Sequence, residues 1–273
     1  MPKLKLGVIV GLSENAEEAI RKVHDLALPT CQLACWAPEH YTKENIRVVE
    51  RATKGGGVEI SSIWAGYPGP MVWNFLEGPN TIGLVPKQWR RIRVEALKAG
   101  ADFAAALGVP TISTHCGFIP ENPRDPVYGD VIKALKEVVA HCRRKKVAFT
   151  FETGQETPVV LLRCIEDLGY DMLGINFDTA NLILYGKANP VDALDVIGKY
   201  VMGVHAKDGF YPTNGRELGH EAALGEGKVN FPVFMPKLKK LGYKGAITIE
   251  REISGPQQVK DIEKAKRLLG PLL

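Results

Sequence analysis

The stretch VAFTFETGQETPVVLLRCIEDLGYDMLGINFD, residues 147–178, decides the fold. Two short runs rich in aromatic and β-branched residues, 147–152 and 173–178, bracket an apolar stripe at helical spacing around 156–168. Strand, helix, strand in that order makes the two strands parallel, because the helix carries the chain back to the end of the sheet where the first strand began. Each strand also closes on a carboxylate, Glu152 and Asp178.

The same unit recurs outward in both directions. Further strand-like runs lie at 4–10, 31–36, 58–64, 110–115, 201–205 and 246–250, and helical stripes at 15–26, 42–54, 88–107, 190–199, 231–241 and 256–269. In VYGDVIKALKEVVAHCRR (127–144), Val131, Leu135, Val138, Val139 and Cys142 fall on one helix face. Eight strands alternating with eight helices close naturally into an α/β (β/α)8 TIM barrel, expected here as a single domain over 1–273, a length that suits this class. An open doubly wound sheet is the competitor, but no GxGxxG follows the first strand. Two connections are long, 65–86 and 206–230, and both follow strands, on the face where such barrels carry chemistry. Their aromatics, Tyr67, Trp73, Phe75, Phe210 and Tyr211, suggest lids.

A net charge of only +4 gives no field for nucleic acid or a membrane surface. The basic runs WRRIR (89–93) and HCRRKK (141–146) fall on helical patterns and read as solvated helix faces. Cys31, Cys35, Cys116, Cys142 and Cys164 are scattered without a CxxC pair, which fits a reducing, cytoplasmic location. No run approaches the roughly 18 to 20 apolar residues of a membrane span. The apolar segment 70–76 (PMVWNFL) leaves self-association into a homo-oligomer open, since it can cover a neighbour's site as easily as its own.

Four consecutive strands end on ionisable groups: Glu152, Asp178, His205 and Glu250. Neighbouring strands are about 4.8 Å apart, so inward side chains at their carboxyl ends can converge. Three carboxylates meeting there repel one another unless a cation neutralises them. Three carboxylates and one imidazole form a hard, oxygen-rich set suited to one divalent metal ion, Mn2+, Mg2+ or Co2+, rather than a structural zinc. Taken singly, each residue has a plainer use: Asp178 before Thr179 as a helix cap, His205 as a hydrogen-bonded rim histidine.

The segments FETG, NFDTANL, VHAKD, LGEGKVNF and ITIERE, in this order across 151–252, resemble the xylose isomerase-like TIM-barrel superfamily and within it the sugar phosphate isomerase/epimerase group. The resemblance implies that Glu152, Asp178, His205 and Glu250 hold the metal and that Glu152 and Glu250 are the catalytic acid/base pair. It further implies a substrate-binding rim. Trp36, Trp64 and His115 match the pocket wall by position, and Glu156, Lys207 and Glu226 are placed to contact hydroxyls; core packing of the tryptophans and a loop salt bridge at Lys207 are the plainer readings. Gly225 and Gly227 bracket Glu226, as a tight loop beside a ligand or as plain turn chemistry. The chain departs from ketose 3-epimerases of the superfamily at two points: Asn181 stands where they carry histidine, and Tyr211 where they carry arginine, with Arg216 further on.

The expected function is therefore a divalent-metal-dependent isomerase or epimerase of a small sugar, sugar phosphate or sugar derivative. An enediolate whose charge the metal offsets would form between two glutamates, one removing a proton and the other supplying one. Expulsion of a β-hydroxyl from the same species gives a lyase instead, a keto-sugar or inosose dehydratase. A non-catalytic sugar-binding barrel is a third reading, and phosphodiester cleavage of the endonuclease IV kind is disfavoured by only six histidines. Small-molecule carbohydrate is the expected partner, with neither nucleic acid nor membrane.

Overall fold

Eight parallel strands close on themselves in a computed structural model that describes residues 3–13 and 15–273. The first six are β1 (Leu6–Gly11), β2 (Thr30–Cys35), β3 (Glu59–Ala65), β4 (Thr111–Thr114), β5 (Ala148–Glu152) and β6 (Leu173–Asp178). β7 (Val201–Ala206) is the seventh barrel strand, and after the short ribbon β8 (Asp208–Phe210) and β9 (His220–Ala222) the barrel is closed by β10 (Ile247–Ile249), which pairs with β1. The helices are α1 (Ala16–Asp25), α2 (Lys43–Gly56), the short α3 (Gly78–Thr81), α4 (Lys87–Ala106), α5 (Pro126–Lys145), α6 (Pro158–Leu168), the short α7 (Asn181–Leu184), α8 (Pro190–Ile197), α9 (Phe231–Lys240) and α10 (Pro256–Leu269). The expected single-domain (β/α)8 barrel is what is found.

Local chemistry explains where the helices start. Asp125–Pro126, Thr157–Pro158 and Asn189–Pro190 each place a capping side chain on the first-turn N–H groups and a proline, which lacks that donor, immediately after it. The last strand is shorter than expected: Glu250 lies one residue past β10, although its N–H still reaches Ala206 O at 3.2 Å.

Side chains alternate along the strands between the helix-facing shell and the barrel axis, apart from one extra residue in each of β3 and β7. Phe149, Phe151, Ile175, Phe177 and Val204 are buried with helix residues such as Val131, Leu135, Val138 and Leu161, and this shell between sheet and helices is the hydrophobic core. The alternate positions face the axis and are small or polar: Gln32, Ser62, Thr150, Asn176 and Gly203 surround an internal cavity of only about 10 Å3. Bulky branched residues usually fill this layer; here it is a polar support beneath the mouth.

One sequence expectation fails. Arg93 is not on a solvated helix face but is fully buried, donating to the carbonyls of Pro68, Pro70 and Gly83 at 2.8–3.0 Å and lying 4.5 Å over the Tyr67 ring. The cause is the long connection after β3, whose backbone carbonyls have no strand or helix partner in reach and take the guanidinium instead. Arg90 likewise donates to Leu84 O and Val85 O. Among the described residues no helix is long and apolar enough to cross a membrane.

Candidate metal centre and active site

Register assembles the four strand-end residues. Asp178 at the end of β6 pairs with His205 on β7, and His205 pairs with Thr248, two residues before Glu250. Glu152 ends β5 next door. One potential ligand atom from each of Glu152, Asp178, His205 and Glu250 lies within 4.8 Å of all the others. His205 Nδ1 is the hub, 2.8 Å from Glu250 Oε2, 3.0 Å from Glu152 Oε1 and 3.8 Å from Asp178 Oδ2.

The orientation of His205 is set from below. Its Nε2 is 2.8 Å from Gln32 Oε1, and Gln32 Nε2 donates in turn to Asn176 Oδ1 at 3.1 Å. With an Nε2–H given to the Gln32 carbonyl, loss of the Nδ1 proton would turn that lone pair toward the three carboxylates, as an imidazole ligand requires. Gly203 makes room for this support, since a Cβ there would fall 2.4 Å from Asn176 Oδ1.

The donor set fits a divalent cation. Asp178 Oδ2 is buried with no hydrogen-bond partner, and Glu250 Oε2 has only the His205 ring nitrogen at 2.8 Å, an arrangement that is costly unless something positive is shared between the carboxylates. Asp178 does also cap α7, accepting from Asn181 N at 2.7 Å, but this uses only its Oδ1. Burial pushes the Asp178 carboxyl well up. Burial also works to raise Glu152 and Glu250, yet both are held below the usual carboxylate range, Glu152 by His115 and His205 and Glu250 by Lys207 and His205. Burial would lower His205, but Glu152 and Glu250 hold it well above the ordinary imidazole value. A divalent ion would displace the protons held by Asp178 and His205.

Above the cluster opens a cavity of about 370 Å3 whose walls include Trp36, Trp64, Trp73, His115 and Tyr185 and which reaches Glu152 and Glu250. Trp64 is buried, and its indole N–H donates to Glu152 Oε2, so it is wall and support at once. Trp36, 47% exposed, stands on it with ring centroids 4.3 Å apart. Trp73 packs edge-on against Trp36 and His115 at 6.2 and 5.1 Å. Burial lowers the His115 imidazole, whose Nε2 lies 3.6 Å from Glu152 Oε1. Lys207 is buried beside the cavity, its Nζ 2.8 Å from Glu252 Oε1, 3.3 Å from Asn181 Oδ1 and 3.8 Å from both Glu250 Oε1 and Asp178 Oδ2.

Three expected substrate contacts do not line this cavity: Lys207, which stands beside it, Glu226 and Glu156. Glu226 turns outward to pair with Lys264 of α10, because the loop around it folds inward by its backbone. The Asp208 carboxylate accepts from the N–H groups of Gly209, Gly225, Gly227 and Val229 at 2.8–3.0 Å. A Cβ at Gly227 would sit 2.2 Å from Asp208 Oδ1, so the glycines serve this knot. Glu156 is buried, with both carboxyl oxygens lacking a partner, and is not among the residues lining the cavity. Of the expected lid aromatics, Trp73 lines the cavity, whereas Phe210 stacks on His220 and the Tyr211 hydroxyl donates to Ala188 O. Arg216 is exposed.

Sequence reasoning missed several wall residues. Leu184 and Tyr185 come from the end of the short α7, invisible to an eight-helix count, and Leu218 from the loop before β9, while the sequence marks Asn181 only as a departure from the 3-epimerases. Glu252 was legible: it lies two residues beyond Glu250 and shares its facing.

The barrel superposes on several solved structures. It superposes on a xylose isomerase domain protein from Planctomyces limnophilus with a TM-score of 0.93 and 35% identity, covering 99% of this chain and 98% of that one. A D-tagatose 3-epimerase-like protein matches with a TM-score of 0.75 and 23% identity over 98% and 97% of the two chains. A probable 3-DHS dehydratase from Bacillus anthracis matches at 0.70 and 14% over 96% and 99%. These last two likenesses speak for the fold. Residues 20–271 match the family model described as the xylose isomerase-like TIM barrel, and the chain belongs to that family.

Proposed function

We propose that the protein is a divalent-metal-dependent isomerase or epimerase of a small sugar or sugar derivative, with Glu152 and Glu250 as the acid/base pair. The observation that carries this reading is the single cluster of Glu152, Asp178, His205 and Glu250 at the floor of an aromatic-walled cavity. These four residues would hold the cation, Mn2+, Mg2+ or Co2+ by the hardness of the set. When bound, such an ion supplies Lewis-acid polarisation of a substrate carbonyl.

The chain's own groups do the rest. Glu152 and Glu250 come from β5 and from the end of β10, so they approach a substrate in the cavity from different sides. One takes the proton from the carbon beside the carbonyl and the other gives one back. Return to the same carbon on its opposite face yields an epimer, and return to its neighbour an aldose–ketose isomer. Lys207, whose Nζ is 3.8 Å from Glu250 Oε1, holds Glu250 ionised and so ready to act as base. The indole N–H of Trp64 fixes Glu152 in one rotamer. Trp36, Trp64, Trp73 and His115 exclude water and face the C–H surface of a sugar ring.

A dehydratase is the second reading. It is favoured by Asn181 at the cavity and by Tyr211 bonded to Ala188 O away from it, positions where ketose 3-epimerases of the superfamily carry histidine and arginine. Loss of one water from the product mass distinguishes it. Either way, Glu152→Gln and Glu250→Gln are each expected to lower kcat by about 10²- to 10⁴-fold on a substrate found by screening ketoses and keto-sugars with Mn2+. Variants that turn over like the parent would sink the assignment of the pair.

A further inference from the structure

We propose that Gln32 is a positioning residue for the metal centre. Its side-chain carbonyl, held in place by Asn176, fixes the direction of the His205 ring and the nitrogen that faces the carboxylates, and through them how tightly the site holds a divalent cation. The inference rests on the metal-dependent reading above and gives a use to the polar layer beneath the site.

That layer is the first ground. Gln32, Asn176 and His205 stand on β2, β6 and β7, and all three side chains are buried. β7 lies beside β6, but β2 is on the far side of the barrel, so Gln32 reaches across the axis to meet the other two. Burying an amide is costly unless its N–H and C=O groups find partners. This pair spends its groups on each other and on the imidazole: Gln32 Nε2 donates to Asn176 Oδ1 at 3.1 Å, while Gln32 Oε1 and Asn176 Nδ2 lie 2.8 and 3.1 Å from His205 Nε2. Gly203 clears the space, since a Cβ there would also come within 3.5 Å of Gln32 Nε2. A layer that branched aliphatic side chains usually fill is given over to holding one ring.

Direction is the second ground. His205 Nε2 has one acceptor in reach, Gln32 Oε1, and one competing donor, Asn176 Nδ2. A proton on Nε2 given to Gln32 lets Nδ1 serve as the ligand, 2.8 to 3.8 Å from one oxygen each of Glu250, Glu152 and Asp178. A bare Nε2 accepting from Asn176 instead leaves the proton on Nδ1, pointed at Glu250 and Glu152, where it bars a cation. Gln32 prevails because it makes the shorter contact, and because Asn176 Oδ1 takes the Gln32 NH2 group and so turns the Gln32 carbonyl to the ring. Metal-bound histidines almost always give their other N–H to such a partner, and its loss typically weakens metal binding by about 10- to 100-fold.

Calorimetric titration of the full chain with Mn2+ tests this on the parent, Gln32→Leu and Gln32→Glu. Leucine removes the acceptor and leaves His205 Nε2 only the Asn176 donor, so Mn2+ is expected to bind about 10- to 100-fold more weakly. Glutamate restores an acceptor for the Nε2–H, and Mn2+ affinity is expected to return to within about threefold of the parent or to exceed it. A Gln32→Leu chain that binds like the parent overturns the proposal. So does a Gln32→Glu chain as weak as Gln32→Leu, since disturbed packing alone would weaken both. Should Gln32→Leu not fold, the 15N spectrum of His205 in the Mg2+-loaded parent decides: a proton on Nε2 is expected, and a proton on Nδ1 overturns the assignment. A parent that binds neither Mn2+ nor Mg2+ takes down the metal-dependent reading and this proposal together, whereas a parent that binds Mn2+ no better than Gln32→Leu takes down this one alone.

Discussion

Glu156 is a carboxyl with nowhere to put a charge. It is 1% exposed, neither oxygen has a hydrogen-bond partner, and burial raises it to about 8. The folded chain therefore keeps a proton on Glu156 between the ordinary carboxylate range and about pH 8, while the unfolded chain has shed it. Because the native state binds the extra proton, stability falls as pH rises through that window, by up to about 1.4 kcal/mol per pH unit from this one group. Glu156→Gln removes the ionisation and keeps the shape. The variant is expected to melt near the parent at pH 5 and above it at pH 8 to 9, read by thermal unfolding across that range. Equal slopes for the two proteins would show that Glu156 finds a partner for its charge. The contrast with Glu152, four residues earlier and also buried, is instructive: His115 and His205 face Glu152 and keep it ionised, whereas the pull of Lys187 on Glu156 is outweighed by burial.

At the scale of elements, two irregular strands and one buried side chain position the site. The pairing of β2 with β3 shifts register between Cys31 and Gln32, and that of β6 with β7 between Ile175 and Asn176. The extra residue is Ser61 on β3 in one case and Met202 on β7 in the other, and a bulge re-aims the residues that follow it on its own strand. Ser62 and Gly203 are thereby set opposite Gln32 and Asn176, the two residues that meet under His205. The connection after β3, which carries Trp73, is held by Arg93 through three carbonyls and by Tyr67, whose hydroxyl accepts from Gly83 N at 2.8 Å. Arg93→Met leaves those carbonyls unpaired in a dry setting, a loss on the order of 3 kcal/mol and about 6 to 12 °C in Tm. It also frees the segment that forms one wall. Hydrogen exchange is expected to speed up across 66–86 well before it does in the barrel strands. Uniform exchange in parent and variant would mean that this connection is held by its aromatic packing instead.

For the whole molecule, the crowd of carboxylates at the barrel mouth makes stability depend on cation. A divalent ion that binds only the folded chain adds about 2.7 kcal/mol at a hundred times its Kd, roughly 5 to 10 °C for a chain of this size. Melting with Mn2+ against chelator should show that rise in the parent and none in Asp178→Asn. In chelator, Asp178→Asn is expected to melt no lower than the parent, since it keeps the Oδ1 that caps α7 and removes a buried acid from beside Glu152 and Glu250. No shift with metal in the parent would contradict the fit of the donor set. Much of this was legible in the chain itself. Alternating strand and helix periods dictate a parallel barrel, and an ionisable residue at the end of each of four neighbouring strands dictates where a charged cluster can form, because strand direction and side-chain alternation are local properties. Trp36, Trp64 and His115 reached the wall for the same reason. Glu226 and Arg93 did not follow their local patterns, since the facing of a loop residue and the burial of a helical arginine depend on partners far away in sequence, Lys264 for one and the carbonyls of Pro68, Pro70 and Gly83 for the other. Sequence by itself determined the scaffold and the four-residue cluster; only the tertiary structure decided which surrounding charges are free, because whether a carboxylate or an ammonium is available to a substrate depends on what the folded chain has already set against it.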